Sequence, residues 1–185
     1  MDCEHVGEII SKICSTSDVE VSLEANPGDV IGKVSELKTA GVTRLSVGVQ
    51  ALNDQELIFL NRDHNTQQAV ISLEQSLKHF PTTTSADLIF GRPGQTVEIL
   101  ESELMMLMKL GLPHVSLYQL TVERGTRLFD QVRSGEVVMP DEDTMAALYS
   151  AADNILSSHA LTRYEVSNWS VPGSECQHNL GLYQS

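Results

Sequence analysis

A repeating cadence constrains this chain more than any other feature. Four short runs rich in β-branched residues, VEVSL (19–23), RLSVGVQ (44–50), SADLIF (85–90) and HVSLYQL (114–120), alternate with longer stretches of helical spacing. Ile31, Val34 and Leu37 mark one helical stretch, closed by Gly41. Two more are expected at 54–61 and 66–79. Val97, Leu100, Leu104, Leu107 and Met108 mark another, closed by Gly111 and Pro113. Strands that recur every ~25 to 40 residues with helices between them require right-handed crossovers and a parallel sheet. The expected class is therefore α/β. Four strands do not close an eight-stranded barrel, so the sheet is either open or part of a barrel. In both cases ligands bind at the carboxyl ends of the strands.

After Leu120 the pattern changes. Residues 121–140 are polar and read as a connection with one short helical turn. Pro140 opens a helix with Asp141, Glu142 and Asp143 in its first turn, where acids suit the helix dipole. RYEVSNW (163–169) reads as a further strand. The division is an N-terminal segment (1–18), a strand–helix unit (19–120) and a second unit (121–185).

Charge and cysteine count narrow the function. With 12 basic and 25 acidic side chains the net charge is -13, which disfavours sequence-independent nucleic-acid binding and docking on an anionic membrane. No apolar run reaches the ~20 residues of a membrane span, so membrane insertion is not expected. The cysteines, Cys3, Cys14 and Cys176, are too few and scattered for a disulfide framework. The acidic N-terminus MDCEHVGEII is neither a signal peptide nor a transit peptide.

Polar residues at the carboxyl rim are the candidates for chemistry. Glu24 ends the first strand and Gln50 the second, while Asp87 lies in the third. Together they suit an ammonium group, a ribose diol or a metal. Arg62, in Asn61-Arg62-Asp63-His64, can reach over to hold a carboxylate. The plainer reading is a set of exposed caps and paired acids. NPG (26–28) and GRPG (91–94) are turn chemistry first, and GRPGQT has neither the Walker lysine nor the GxGxxG spacing. His64 reads as a solvated loop histidine. His178, in Cys176-Gln177-His178-Asn179, can bind metal or heme, although Cys-x-His offers two donors where zinc wants four. The methionines at 105, 106 and 108 read as helix core.

Taken in order, SLEANPGD, GVTRLSVGVQ, NRDH, ADLIFGRPGQT, VSLYQLTVERGTRLF, YEVSNW and CQHN resemble the HemW group of radical S-adenosylmethionine (SAM) proteins. That group is related to the oxygen-independent coproporphyrinogen III oxidases, and the wording is nearest its animal mitochondrial members. The resemblance runs from Val19 to Asn179. It implies a partial TIM-type (β/α)6 barrel, represented here by its third to sixth strands, and the start of a small C-terminal α+β domain. It implies that Glu24, Gln50, Arg62 and Asp87 line the SAM cleft and that His178 binds heme.

The departures carry equal weight. The family's C-x-x-x-C-x-x-C motif, which ligates a 4Fe-4S cluster, does not occur, and Cys3 and Cys14 cannot replace a triplet from one tight loop. The family's H-N-x-x-Tyr-Trp is altered after Asn179; Ala51 and Arg92 also depart from its pattern. The chain thus reads as truncated at both ends. The expected function is a heme-binding protein or heme chaperone with a residual SAM cleft, no catalytic residue and no radical chemistry of its own. Its partners would be heme and recipient heme proteins. The alternatives are a coproporphyrinogen oxidase-like enzyme of porphyrin biosynthesis, or an inactive truncated product. Residues 19–23 would form an open sheet edge, so self-association is expected. Location is mitochondrial by resemblance and cytoplasmic otherwise.

Overall fold

The computed structural model describes residues 2–14 and 19–183. The N-terminal segment forms helix α1 (Cys3–Ile13), capped by the Asp2 carboxylate, which accepts from the N–H groups of Glu4 and His5. Four parallel strands follow, β1 (Ser22–Ala25), β2 (Arg44–Gln50), β3 (Thr84–Phe90) and β4 (His114–Gln119). Between β1 and β2 lie α2 (Pro27–Val30) and α3 (Val34–Thr39). Helices α4 (Asp54–Phe59) and α5 (Thr66–His79) lead to β3, and α6 (Val97–Leu110) leads to β4. Then come α7 (Arg127–Ser134) and α8 (Glu142–Ser158), strands β5 (Thr162–Arg163) and β6 (Asn168–Ser170), and α9 (Gln177–Tyr183). The six-stranded sheet has the order β1-β2-β3-β4-β6-β5, with β6 antiparallel to β4 and to β5.

The helices form where their caps and apolar spacing dictate. Asn65 and Gln68 close a reciprocal capping box at the start of α5. Thr96 caps α6, and Gly111 ends it in the left-handed conformation at φ 75°. Leu100, Leu104 and Leu107 fall on one face of α6 and are fully buried, each contributing about 1.5–3 kcal/mol of burial. The buried face of α8 is Leu148, Ala152 and Leu156, against the same core. Gly41 answers two demands at once: its φ is 105°, and a side chain there would meet Ile10 of α1 at 3.2 Å.

The sheet has two unlike faces. Leu45, Val47, Val49, Ala86, Leu88, Val115 and Leu117 point to the helices and form the core. The alternate positions, Ser46, Ser85, Asp87, His114 and Ser116, are polar. Parallel strands are usually apolar on both faces. A polar inner face is what a barrel-like wall shows toward a site.

Four expectations change. Residues 163–169 are not one strand, because the Glu165 carboxylate accepts from Ser167 N–H and closes a turn between β5 and β6. The first strand lies later than 19–23, so Glu24 is within it. His64 is not solvated: it is 6% exposed, and its Nε2 lies 3.1 Å from the carbonyl of Val49. A carbonyl only accepts, so Nε2 carries the proton and ties the 61–65 loop to the end of β2. Met106 is exposed on α6, whereas Met108 packs on the core.

Candidate functional site

The ends of β1 and β2 meet the middle of β3 in one depression of about 180 Å³, lined by Glu24, Ala25, Asn26, Gly48, Gln50 and Asp87. The backbone of β2 makes this possible. The β2–β3 register shifts between Val47 and Gln50, and Gln50 adopts φ 66°. Its amide then folds back over Gly48, within 2.7 Å of where a Cβ would stand. Glu24 is exposed, while Gln50 and Asp87 are half-buried.

Asp87 is held by hydroxyls. Ser46 Oγ donates to its carboxylate at 2.8 and 2.9 Å, and Ser85 Oγ lies 3.4 Å away. Burial nonetheless pushes its pKa up to about 6, opposed by the bonds from Ser46, Ser116 and Ser85 and aided by the charge of Glu24. Tyr118, across from Ile89 on the same face, is raised to about 12 by burial and by the charge of Asp87.

A smaller chamber of about 60 Å³ adjoins this depression and shares Glu24 with it. Arg44, Ser46, His114, Cys176 and His178 contribute to its walls. His178 is exposed at the start of α9. The segment that carries it is fastened from below. Arg44, 3% exposed, donates to the carbonyls of Ser174 and Glu175 at 2.9 and 2.8 Å, and its Nε donates to Glu20 at 2.8 Å. Glu20 in turn accepts from Gln177 N–H at 2.9 Å. Cys176 Sγ also points to Glu20, at 3.5 Å.

Arg62 lies apart from that depression. It lines a groove of about 810 Å³ with Phe59, Ile89, Leu120 and Leu128, and its buried Nε has no hydrogen-bond partner. Ile89 is on the Asp87 face of β3, so the groove continues along the same wall. Glu24, Gln50 and Asp87 are thus brought together, His178 joins them through Glu24, and Arg62 sits farther along.

The GRPG turn is a structural pin. Arg92 is fully buried and doubly bonded to Glu103, with Nη1 at 3.1 Å from Oε1 and Nη2 on Oε2. Glu56 of α4 approaches Arg92 Nε to 3.5 Å, and Leu52 N–H donates to Glu103 at 2.7 Å. This pin ties the loops after β2 and β3 to α4 and α6.

Cys3 begins α1 and Cys14 caps its far end, so an 11-residue helix of about 16 Å separates them, while Cys176 is buried against Glu20. Among the described residues no three His, Cys, Asp or Glu side chains are placed to hold a metal ion. None of the described helices is long and apolar enough to cross a membrane.

Sequence reasoning missed Arg44, Ser46, Ser85 and His114. A signal existed: polar residues at every second position of three strands. It is a weak signal, because the apolar residues between them carry the fold.

Residues 2–107 match the Radical SAM superfamily model. The chain belongs to the radical SAM superfamily. It is 38% identical over 179 residues to the zebrafish (Danio rerio) "Radical S-adenosyl methionine domain-containing protein 1, mitochondrial", covering 96% of this chain and 40% of that one. It is 39% identical over 167 residues to "Heme chaperone HemW" of Mycobacterium tuberculosis, covering 90% of this chain and 43% of the relative. The chain therefore spans about two fifths of the length of these relatives. The radical SAM coproporphyrinogen III oxidase (HemN) of Escherichia coli superposes with a TM-score of 0.80 at 18% identity, over 100% of this chain and 43% of that one. That likeness bears on the fold, and it agrees with the partial barrel that the family resemblance implies.

Proposed function

We propose that this radical SAM chain is a HemW-like heme-handling protein that retains part of a SAM cleft. The observation that carries this reading is the convergence of Glu24, Gln50 and Asp87 in one depression, joined through Glu24 to the chamber beside His178. The acceptor groups of the three residues fit an ammonium group or ribose hydroxyls. The unpartnered buried Nε of Arg62 fits a carboxylate. Bound SAM would supply an alkyl or radical source; these residues bind and orient it.

For heme, His178 is the proposed ligand. The chamber of about 60 Å³ beside it is far below the ~300–1,000 Å³ of ordinary small-molecule pockets, so heme would meet His178 on its exposed side. Heme titration tests this. Wild type should give a Soret shift that His178→Ala loses, and an unchanged titration in the variant removes His178 from the account.

The second reading, a radical SAM enzyme like the coproporphyrinogen oxidase, is favoured by the shared fold. The cysteine geometry opposes it for this chain alone, because Cys3, Cys14 and Cys176 do not converge. We propose that the chain by itself holds no cluster. A SAM-coordinating [4Fe–4S] spectrum after anaerobic reconstitution would overturn that. The name of the zebrafish relative points to the mitochondrion and that of the bacterial relative to a heme chaperone, and recipient heme proteins are the partners we propose. The terminal position of β1 in the sheet supports self-association, read by sedimentation at rising concentration.

A further inference from the structure

A chain of side chains, buried at its middle and half-buried at its ends, runs from the segment carrying His178 to Asp87. Tyr164 follows β5, and its hydroxyl meets three groups. Cys176 N–H and Asn179 Nδ2 each approach it at 3.3 Å, and His114 Nε2 lies at 2.7 Å. On the other side of the imidazole, Nδ1 is 2.7 Å from Ser85 Oγ. Ser85 Oγ is 3.4 Å from Asp87 Oδ1 and 3.3 Å from Ser116 Oγ.

Counting protons gives the chain a direction. The Tyr164 oxygen accepts from two donors, so its single proton is left for His114 Nε2. Nε2 is then an acceptor, and the neutral ring carries its proton on Nδ1, facing Ser85. An oxygen that accepts from Nδ1–H keeps its own proton for Asp87, given directly or by way of Ser116 Oγ. The far end agrees, because an ionised carboxylate only accepts. The ring is 2% exposed, and burial together with the charge of Arg44 drives its pKa down to about 3, so it stays neutral.

We propose that Tyr164, His114 and Ser85 form a one-way hydrogen-bond chain that couples the 176–179 segment to Asp87, with His114 as its positioning residue. A ligand that takes up the Asp87 charge would be felt at Asn179, and a ligand that moves the 176–179 segment would be felt at Asp87. The groups facing Asp87 are Glu24 from β1, Ser46 from β2, and Ser116 and Tyr118 from β4. Those facing His114 are Ser85, Tyr164, Arg44 and Glu20. The proposal takes from the proposed function only the place of Asp87 in the cleft. A chain that bound neither heme nor SAM would still show it.

The test is a magnetic resonance titration of the full chain, labelled with 15N in histidine and asparagine and with 13C in aspartate. At pH 8 the His114 ring should carry its proton on Nδ1. Between pH 8 and 4.5 its nitrogens and the Asn179 side-chain amide should shift with the midpoint of Asp87, and Asp87→Asn should abolish those shifts. Ser85→Ala should raise the Asp87 midpoint by about half a unit or more, since a donor to the carboxylate is lost. A proton on Nε2 in wild type, His114 and Asn179 signals flat through the Asp87 transition, or a folded Ser85→Ala chain with an unmoved Asp87 would each overturn the proposal. The wild-type measurements decide it if Ser85→Ala does not fold.

Discussion

The Gln50 side chain occupies the space that a side chain at Gly48 would need: its Nε2 is 2.7 Å from that Cβ position. Two residues apart on β2, they form a single device, with glycine as the floor and the amide as the lid. Gly48→Ala should therefore displace the Gln50 amide while leaving the fold intact, because the clash is with the end of a flexible side chain. The expected loss of stability is about 1 kcal/mol or less. The Gln50 amide signals should move, and any SAM affinity should fall to the same extent as in Gln50→Ala. Calorimetry with SAM and amide spectra check this.

Asp87 should make the protein less stable as the pH rises. Its carboxyl titrates at about 6 in the folded chain against a reference value of 3.8. The folded chain therefore binds more protons between those values. Its contribution is fully present below about pH 4 and is lost as the pH passes 6. Asp87→Asn should remove this slope and gain about 2 kcal/mol at pH 8, a figure discounted for partial exposure. Urea unfolding of both proteins at pH 4.5 and pH 8 measures it.

His114 should act in the opposite sense. Its folded value of about 3 lies below the reference value of 6.5. The unfolded chain takes up the extra proton in that interval, so the contribution is present above about pH 6.5 and is lost as the pH falls toward 3. His114→Gln should be less stable than wild type at pH 7 but should lose less on acidification. Parallel acid titrations of the two proteins give the comparison.

Breaking the Arg92–Glu103 pair from one side should be severe. Arg92→Met leaves a buried carboxylate without its guanidinium, at an expected cost of about 3–5 kcal/mol. Adding Glu103→Met should recover much of that loss, although Leu52 N–H then lacks its acceptor. Thermal melts of the two singles and the double close the cycle.

The sequence by itself determined the alternation of strands and helices, because that depends on local periodicity, caps and turn residues. Arg44–Gln50 and Thr66–His79 follow the sequence reading to the residue, and Gly111 ends α6 as its position implies. It also placed Glu24, Gln50 and Asp87 toward one rim, since parallel strands run the same way and their later residues share a side. Only the tertiary structure decided what those polar groups touch. His64 is buried because the 61–65 loop folds onto β2, a contact no local pattern encodes. Arg92 lies in a turn motif but is held by Glu56 and Glu103, which come from two different helices. The path from Tyr164 through His114 and Ser85 to Asp87 joins residues far apart in the chain. Their meeting depends on the register of β3 with β4 and on the return of β6 against β4, and register is fixed by packing across the whole sheet.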